Sequence, residues 1–298
     1  MSRVTWSVVA AALLGSTPAH ATYSITATDQ DASLVGGAGA SCVPYEVIVI
    51  YASAPGHGAL NIQAGFDDAA RDAAKALLGD GVAPDEVIAA VTDPSFDPEA
   101  PQMQYGVVDL EGRAAGYTGP EAQPYAGHRT GAVGPYTYAT QGNLLTSARV
   151  LEQAAAAFEE RGCDLVEKLM LALEAGADEH EGDSRCTGEG LPAKSAYLQV
   201  DRAGEPAGSF LRISVPDVTP QDPIAALRAQ LDVWRLDHPC PEPVAPDDAQ
   251  ADESSAGGCR AAGGATPIRR TWTWWALALA AAALRRRSSA RVAHSSPL

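Results

Sequence analysis

From Thr22 to Asp29 the chain alternates without a break, with Tyr23, Ile25 and Ala27 on one side and Ser24, Thr26 and Thr28 on the other. A period of two is that of a β-strand. A polar turn, Asp29-Gln30-Asp31-Ala32, leads into a second run, Leu34 to Ser41, and the two read as a hairpin. The second run is poor in large side chains. Gly36, Gly37 and Gly39 belong where another backbone, or a ligand, must come close. They do not form a dinucleotide fingerprint, because no helix pattern follows and Cys42 stands at the third glycine position.

The rest of the chain supplies strands and helices in blocks. Strand signals cover Glu46 to Tyr51, Gly58 to Gln63, Gln102 to Asp109, Arg113 to Thr118, Tyr136 to Gln141, Ser195 to Asp201 and Ser209 to Val215. Helical spacing covers Ala64 to Leu78, a run from Pro84 to Val91 with acids in its first turn, and a run that Thr146 caps through Glu160. Two further helices start at Asp164, where Glu167 completes a capping-box pattern, and at Asp222-Pro223, which opens a helix to about Trp234. Local hairpins mixed with helices predict an α+β layered protein.

Upstream of the hairpin stand Arg3, an apolar stretch from Val8 to Leu14, and Ala19 and Ala21 placed for signal-peptidase cleavage after Ala21. Cleavage there makes residues 1–21 a signal peptide and Thr22 the first residue of the mature chain. An amino-terminal threonine carries nucleophile and base together. Its hydroxyl is the nucleophile, and its α-amine, with an ordinary pKa of ~7.7 to 8.0, accepts the hydroxyl proton.

Thr22-Tyr23-Ser24-Ile25, Gly39-Ala40-Ser41, Gly127-His128-Arg129-Thr130-Gly131 and Tyr138-Ala139-Thr140-Gln141-Gly142-Asn143-Leu144 follow one another in a familiar order. Gly182-Asp183-Ser184-Arg185-Cys186, Lys194-Ser195-Ala196 and Asp222-Pro223-Ile224 close the series. From about Thr22 to Trp234 the chain resembles a bacterial family of unknown function (domain of unknown function 1028) within the Ntn-hydrolase superfamily. The resemblance implies a four-layer αββα sandwich, with two antiparallel sheets between helix layers, and amide hydrolysis through Thr22. Two stretches depart from the family pattern: Ile62 replaces a usual threonine, and Phe66-Asp67-Asp68 replaces a more aromatic, asparagine-containing segment. Both are expected near bound substrate.

Charge narrows the partners. The net charge is −16, and eight of the 21 basic residues lie before Thr22 or after Cys259, where there are no acids. Residues 22–259 thus carry 37 acids against 13 bases, or −24. Such a surface repels phosphate backbones, so nucleic acid is not an expected partner. In an exported chain Cys42, Cys163, Cys186 and Cys240 are expected in disulfides. Cys163 with Cys186 closes the shortest loop containing a helix and is the expected pair, stabilising by about 3 kcal/mol. Cys42 then pairs with Cys240 or stays a buried thiol.

Residues 237–258, rich in Pro, Asp, Glu, Ala and Ser, read as a linker after a domain at 22–236. Residues 259–298 hold Gly258-preceded Cys259, an apolar run from Trp272 to Leu284, and Arg285-Arg286-Arg287. Thirteen helical residues reach about 20 Å, short of a ~30 Å hydrocarbon core. This tail resembles the MYXO-CTERM sorting signal, with Cys259 as the processing point. It implies a cell-surface or outer-membrane destination, with signal peptidase and sorting machinery as partners.

For catalysis Thr22 needs donors for a developing oxyanion. Asn143 is the first candidate, since its carboxamide offers two donors beside the flexible Gly142. Gln63, His128 and Lys194 are supporting candidates: Gln63 at a strand end, His128 to position substrate, Lys194 to keep the amine neutral by like-charge repulsion. Asp183 and Arg185 read as a structural pair near Cys186. No spacing fits zinc at His180 or an EF-hand at Asp93 to Glu99, so no metal or cofactor is expected. The substrate is expected to be a small-molecule or peptide-like amide. The alternative function is a surface binding protein that keeps the layered fold without turnover.

Overall fold

The hairpin becomes the middle of a six-stranded antiparallel sheet. In the computed structural model, which describes residues 22–241, β1 (Thr22–Asp29) pairs with β2 (Leu34–Ser41) on one side and with β8 (Tyr136–Asn143) on the other. β7 (Gly127–Val133), β9 (Ser195–Arg202) and β10 (Leu211–Val215) complete the order β10-β9-β2-β1-β8-β7. The second sheet has the order β3-β4-β5-β6, from β3 (Tyr51–Ala54), β4 (Gly58–Gln63), β5 (Gln104–Asp109) and β6 (Ala114–Thr118). The expected signal peptide, most of the linker and the sorting tail lie outside the described residues.

The apolar face of β1 fixes one helix layer. Tyr23, Ile25 and Ala27 share a core with Leu151 and Phe158 of α3 (Arg149–Glu160), Leu169 and Leu173 of α4 (Leu165–Ala175), and Leu227 and Leu231 of α5 (Pro223–Arg235). On the far side, Leu60, Ile62, Tyr105 and Val107 pack against Ala74 and Leu78 of α1 (Asp68–Gly79) and Val87 and Val91 of α2 (Pro84–Val91). Between the sheets lie Val35, Val108, Ala139, Tyr51 and Tyr197. These four layers are the expected αββα sandwich.

The polar face of β1 does not meet solvent. Ser24, Thr26 and Thr28 are buried against the second sheet. Ser24 Oγ donates to Gln63 Oε1 at 2.6 Å, and the Thr26 and Thr28 hydroxyls donate to the carbonyls of Gly106 and Asp109 at 3.3 Å. Tyr197, whose phenol burial holds in the protonated form by raising its pKa, donates to Asn61 Oδ1 at 2.6 Å. Buried hydroxyls and amides thus satisfy one another across the sheets, as burial requires. The small residues of β2 make room for this layer: a Cβ on Gly37 would lie 2.7 Å from the Tyr51 ring, and one on Gly39 2.7 Å from that of Tyr197.

Several local expectations are corrected. The stretch Glu46 to Tyr51 forms a 3-10 turn, Val47–Ile50, ahead of β3, and Val47, Ile48 and Ile50 plug the space between the sheets instead of pairing as a strand. α1 starts at Asp68 and not at Ala64, because Asp67 Oδ1 caps the Ala69 N–H at 2.7 Å. α3 starts at Arg149, since the Thr146 hydroxyl is taken up by Glu181 and Gly182. β7 was not expected as a strand; it is an edge strand and largely exposed, so it lacks a continuous apolar face.

The disulfides are also corrected. Cys42 pairs with Cys186, and Cys163 with Cys240, each with Cα atoms 5.7 Å apart. The expected Cys163–Cys186 bond does not form. The loop of Cys186 is held at the end of β2, where buried Asp183 accepts the Cys42 N–H at 2.7 Å and binds Arg185 at 2.8 Å. The segment after α5 is held at the start of α4 by an Arg235–Asp164 ion pair at 2.6 Å. Short loop length was the wrong criterion, because tertiary contacts had already brought the distant pairs together. Two disulfides fit an oxidising compartment outside the cytoplasm. Among the described residues no helix is long and apolar enough to cross a membrane.

Candidate functional site

Strand register assembles the site. Thr22 opens β1, and its neighbours across the two ladders are Ser41, the last residue of β2, and Asn143, the last residue of β8. The Thr22 N–H donates to Asn143 Oδ1 at 3.1 Å, and its hydroxyl donates to Ser41 Oγ at 3.1 Å. From the second sheet Gln63 Nε2 donates to the Thr22 carbonyl at 2.8 Å. Every polar atom of Thr22 is therefore held, on a residue only 2% exposed.

The chain leaves β4 and β8 abruptly. Ala64 follows Gln63 with φ of 75°, and Leu144 follows Asn143 with φ of 50°. Left-handed backbone at a residue with a side chain costs of order 1 kcal/mol or more and clusters at functional sites. Here the turns end β4 and β8 so that the two amides cap the strand layer instead of continuing it.

Gln63 is itself positioned. Its second amide hydrogen goes to Gln104 Oε1 at 3.1 Å, and its Oε1 accepts from Ser24. Both Gln63 hydrogens are thus committed, which makes it a positioning residue and not a free donor. Buried Gln104 lies with its Nε2 2.8 Å from the Gly142 carbonyl and 3.0 Å from Thr118 Oγ1, tying β5 to β8 and β6. Replacing Gln104 with Leu, which keeps the volume and removes the amide, is expected to destabilise the fold by about 2–3 kcal/mol by stranding a buried donor on Gln63. The midpoint of chemical denaturation measures this.

A cavity of about 20 Å³, room for one water, opens over Thr22. Ser41 and Gln63 are polar members of its lining beside Thr22, while Val43, Val47, Ile50 and Phe66 make it apolar. Tyr45 and Val49 line it as well, and they are 44% and 39% exposed.

Of the residues singled out from sequence, Thr22, Asn143 and Gln63 come together by direct hydrogen bonds. His128 and Lys194 make no hydrogen bond to Thr22 among the described residues. His128 Nδ1 lies 2.9 Å from Thr118 Oγ1, across the edge strands β6 and β7, and partial burial lowers its pKa. Lys194 Nζ bonds Glu189 at 2.8 Å, which raises its pKa, while its backbone N–H donates to the Ser41 carbonyl. Ile62, expected near bound substrate, is instead fully buried in the core with α1 and α2 and does not line the cavity. Phe66, by contrast, does line the cavity.

Ser41 and Gln104 were not singled out. Ser41 was within reach of sequence reasoning: counting outward from a turn in which Asp29 faces Leu34 sets Ser41 against Thr22. Gln104 carried no such signal, because its role exists only across two sheets.

These layers and this strand-head cluster define an α+β sandwich with a polar centre where its central strand begins. The chain belongs to a family of unknown function, DUF1028, whose model matches residues 22–227. It is similar to protein SPO2555 of that family from Silicibacter pomeroyi, whose crystal structure aligns with a TM-score of 0.60 and 25% sequence identity, covering 72% of this chain and 89% of that one. No curated protein matches the sequence.

Proposed function

We propose that the protein is an exported hydrolase of the Ntn type that cleaves an acyl amide with Thr22 as nucleophile. The observation that carries this reading is the placement of Thr22 at the head of a central strand, its N–H on Asn143 and its hydroxyl on Ser41, beneath a small apolar cavity. Once cleavage after Ala21 frees the α-amine, Asn143 Oδ1 is in position to orient it.

In the reaction, Thr22 Oγ1 attacks the amide carbon and passes its proton to the α-amine. The carboxamide of Asn143 stabilises the oxyanion, and the tetrahedral adduct collapses as the α-ammonium returns the proton to the leaving nitrogen. Water, deprotonated by the same amine, then hydrolyses the threonyl ester and restores the hydroxyl. Ser41 and Gln63 hold Thr22 in place throughout. The resemblance of the C-terminal tail to MYXO-CTERM supports a cell-surface destination, with Cys259 as its processing point.

The test is amino-terminal sequencing of protein recovered from the cell envelope, followed by labelling with a peptide boronate or β-lactone and mass mapping of the adduct. A chain starting at Thr22 and labelled there supports the reading. A different or blocked start excludes it, and a Thr22 start that no acylating probe labels favours the surface binding protein.

A further inference from the structure

The cavity over Thr22 does not end at its own walls. A groove of about 460 Å³ adjoins it and shares Tyr45, Ala64 and Phe66 with it. Its other side is acidic, with Asp67, Asp68, Asp97 and Glu99. Arg71 engages Asp68 at 2.9 Å and also binds Asp72. Asp67, Asp97 and Glu99 enter no ion pair among the described residues.

Asp97 is the informative member. It is 5% exposed, its Oδ1 accepts the Glu99 N–H at 2.8 Å, and its Oδ2 is buried without a hydrogen-bond partner. A carboxylate oxygen kept from both water and donors is costly unless a cation or donor completes it. Nearby, the Tyr105 hydroxyl is also buried and unpartnered, and burial, then the charges of Asp97 and Asp67, raise its pKa. Asp97 and Asp67 therefore both act on the Tyr105 hydroxyl, and both also line the groove. The Phe66 ring of the shared wall already carries the Arg71 guanidinium over it at 5.6 Å, which shows that this wall takes a cation, and Tyr45 adds a second aromatic side chain beside it.

We propose that this groove is the subsite for a positively charged organic group, an ammonium or guanidinium, on the amide that Thr22 cleaves. The proposal rests on the hydrolase reading only for assigning that group to a substrate. An organic cation fits better than a bare metal ion, because the groove has the volume of a small-molecule site and its acids do not converge into a metal-holding group among the described residues. Acids on one wall and the nucleophile beyond the shared aromatic wall set the polarity of binding: the charged end lies in the groove and the scissile carbonyl in the cavity.

The test is calorimetric titration of the mature protein with Nα-acetyl-lysine methylamide and with its uncharged counterpart, Nα-acetyl-norleucine methylamide. The lysine compound is expected to bind at least about tenfold tighter, the ratio one charge-assisted hydrogen bond supports. Asp97→Asn, which keeps an acceptor for the Glu99 N–H, is expected to cut that preference to about threefold or less. Asp67→Asn, which still caps α1, is expected to reduce it by a smaller factor and serves if the first variant fails to fold. Equal affinities, no binding of either compound, or a preference that neither substitution moves would overturn the proposal. The matching p-nitroanilides separate the two readings. Charge-selective binding without cleavage of either anilide leaves the groove standing and counts against hydrolysis, whereas cleavage without selectivity does the reverse.

Discussion

Thr22→Ala is expected to lower amide hydrolysis by about 10³-fold or more while the protein remains folded, because the substitution removes the proposed nucleophile, the one hydroxyl that shares its residue with the α-amine acting as base. The structural cost is small. The alanine variant loses one hydrogen bond, from the hydroxyl to Ser41 Oγ, worth about 1 kcal/mol, and keeps the main-chain bonds to Asn143 and Gln63. Thr22→Ser restores a hydroxyl in the same place and is expected to recover part of the rate. A panel of acyl p-nitroanilides measures the rates, and circular dichroism with a thermal midpoint checks the fold. Turnover retained in the alanine variant would move the chemistry away from Thr22.

Removing the Cys42–Cys186 bond is expected to damage both stability and site, whereas removing Cys163–Cys240 damages stability alone. Both bonds close long loops, with sequence separations of 144 and 77, so loop entropy predicts about 4–5 kcal/mol for each, as an upper figure. What separates them is location. Cys42 follows Ser41, the residue that receives the Thr22 hydroxyl, and Asp183 reaches the Cys42 N–H from the other side of the bond. Loss of this link loosens the end of β2. Paired Cys→Ala variants, compared by denaturation midpoint and by probe labelling of Thr22, distinguish the two bonds; equal labelling in both would show that the Cys42–Cys186 link does not support the site.

How much of this was open to inspection in the chain itself depends on the range of the interaction. Asp164 with Glu167, Pro84 with its following acids, and Asp222-Pro223 marked helix starts that the structure keeps at α4, α2 and α5. Caps and turns act over three or four residues, so their physics is written locally. The same holds for the β1–β2 hairpin. Thr146 failed as a cap because Glu181, 35 residues away, competes for its hydroxyl. The run Val47 to Ile50 failed as a strand because apolar composition specifies burial and leaves backbone geometry open.

The sequence by itself determined the alternating hairpin, the starts of α2, α4 and α5, and the acidic body, because periodicity, capping and charge need only near neighbours. Only the tertiary structure decided that β8 lies beside β1, so that Asn143 meets Thr22, that the polar face of β1 is buried against a second sheet, and which cysteines pair. These are contacts between segments tens to more than a hundred residues apart. They follow from how two sheets and their helix layers bury surface together, which no local pattern encodes.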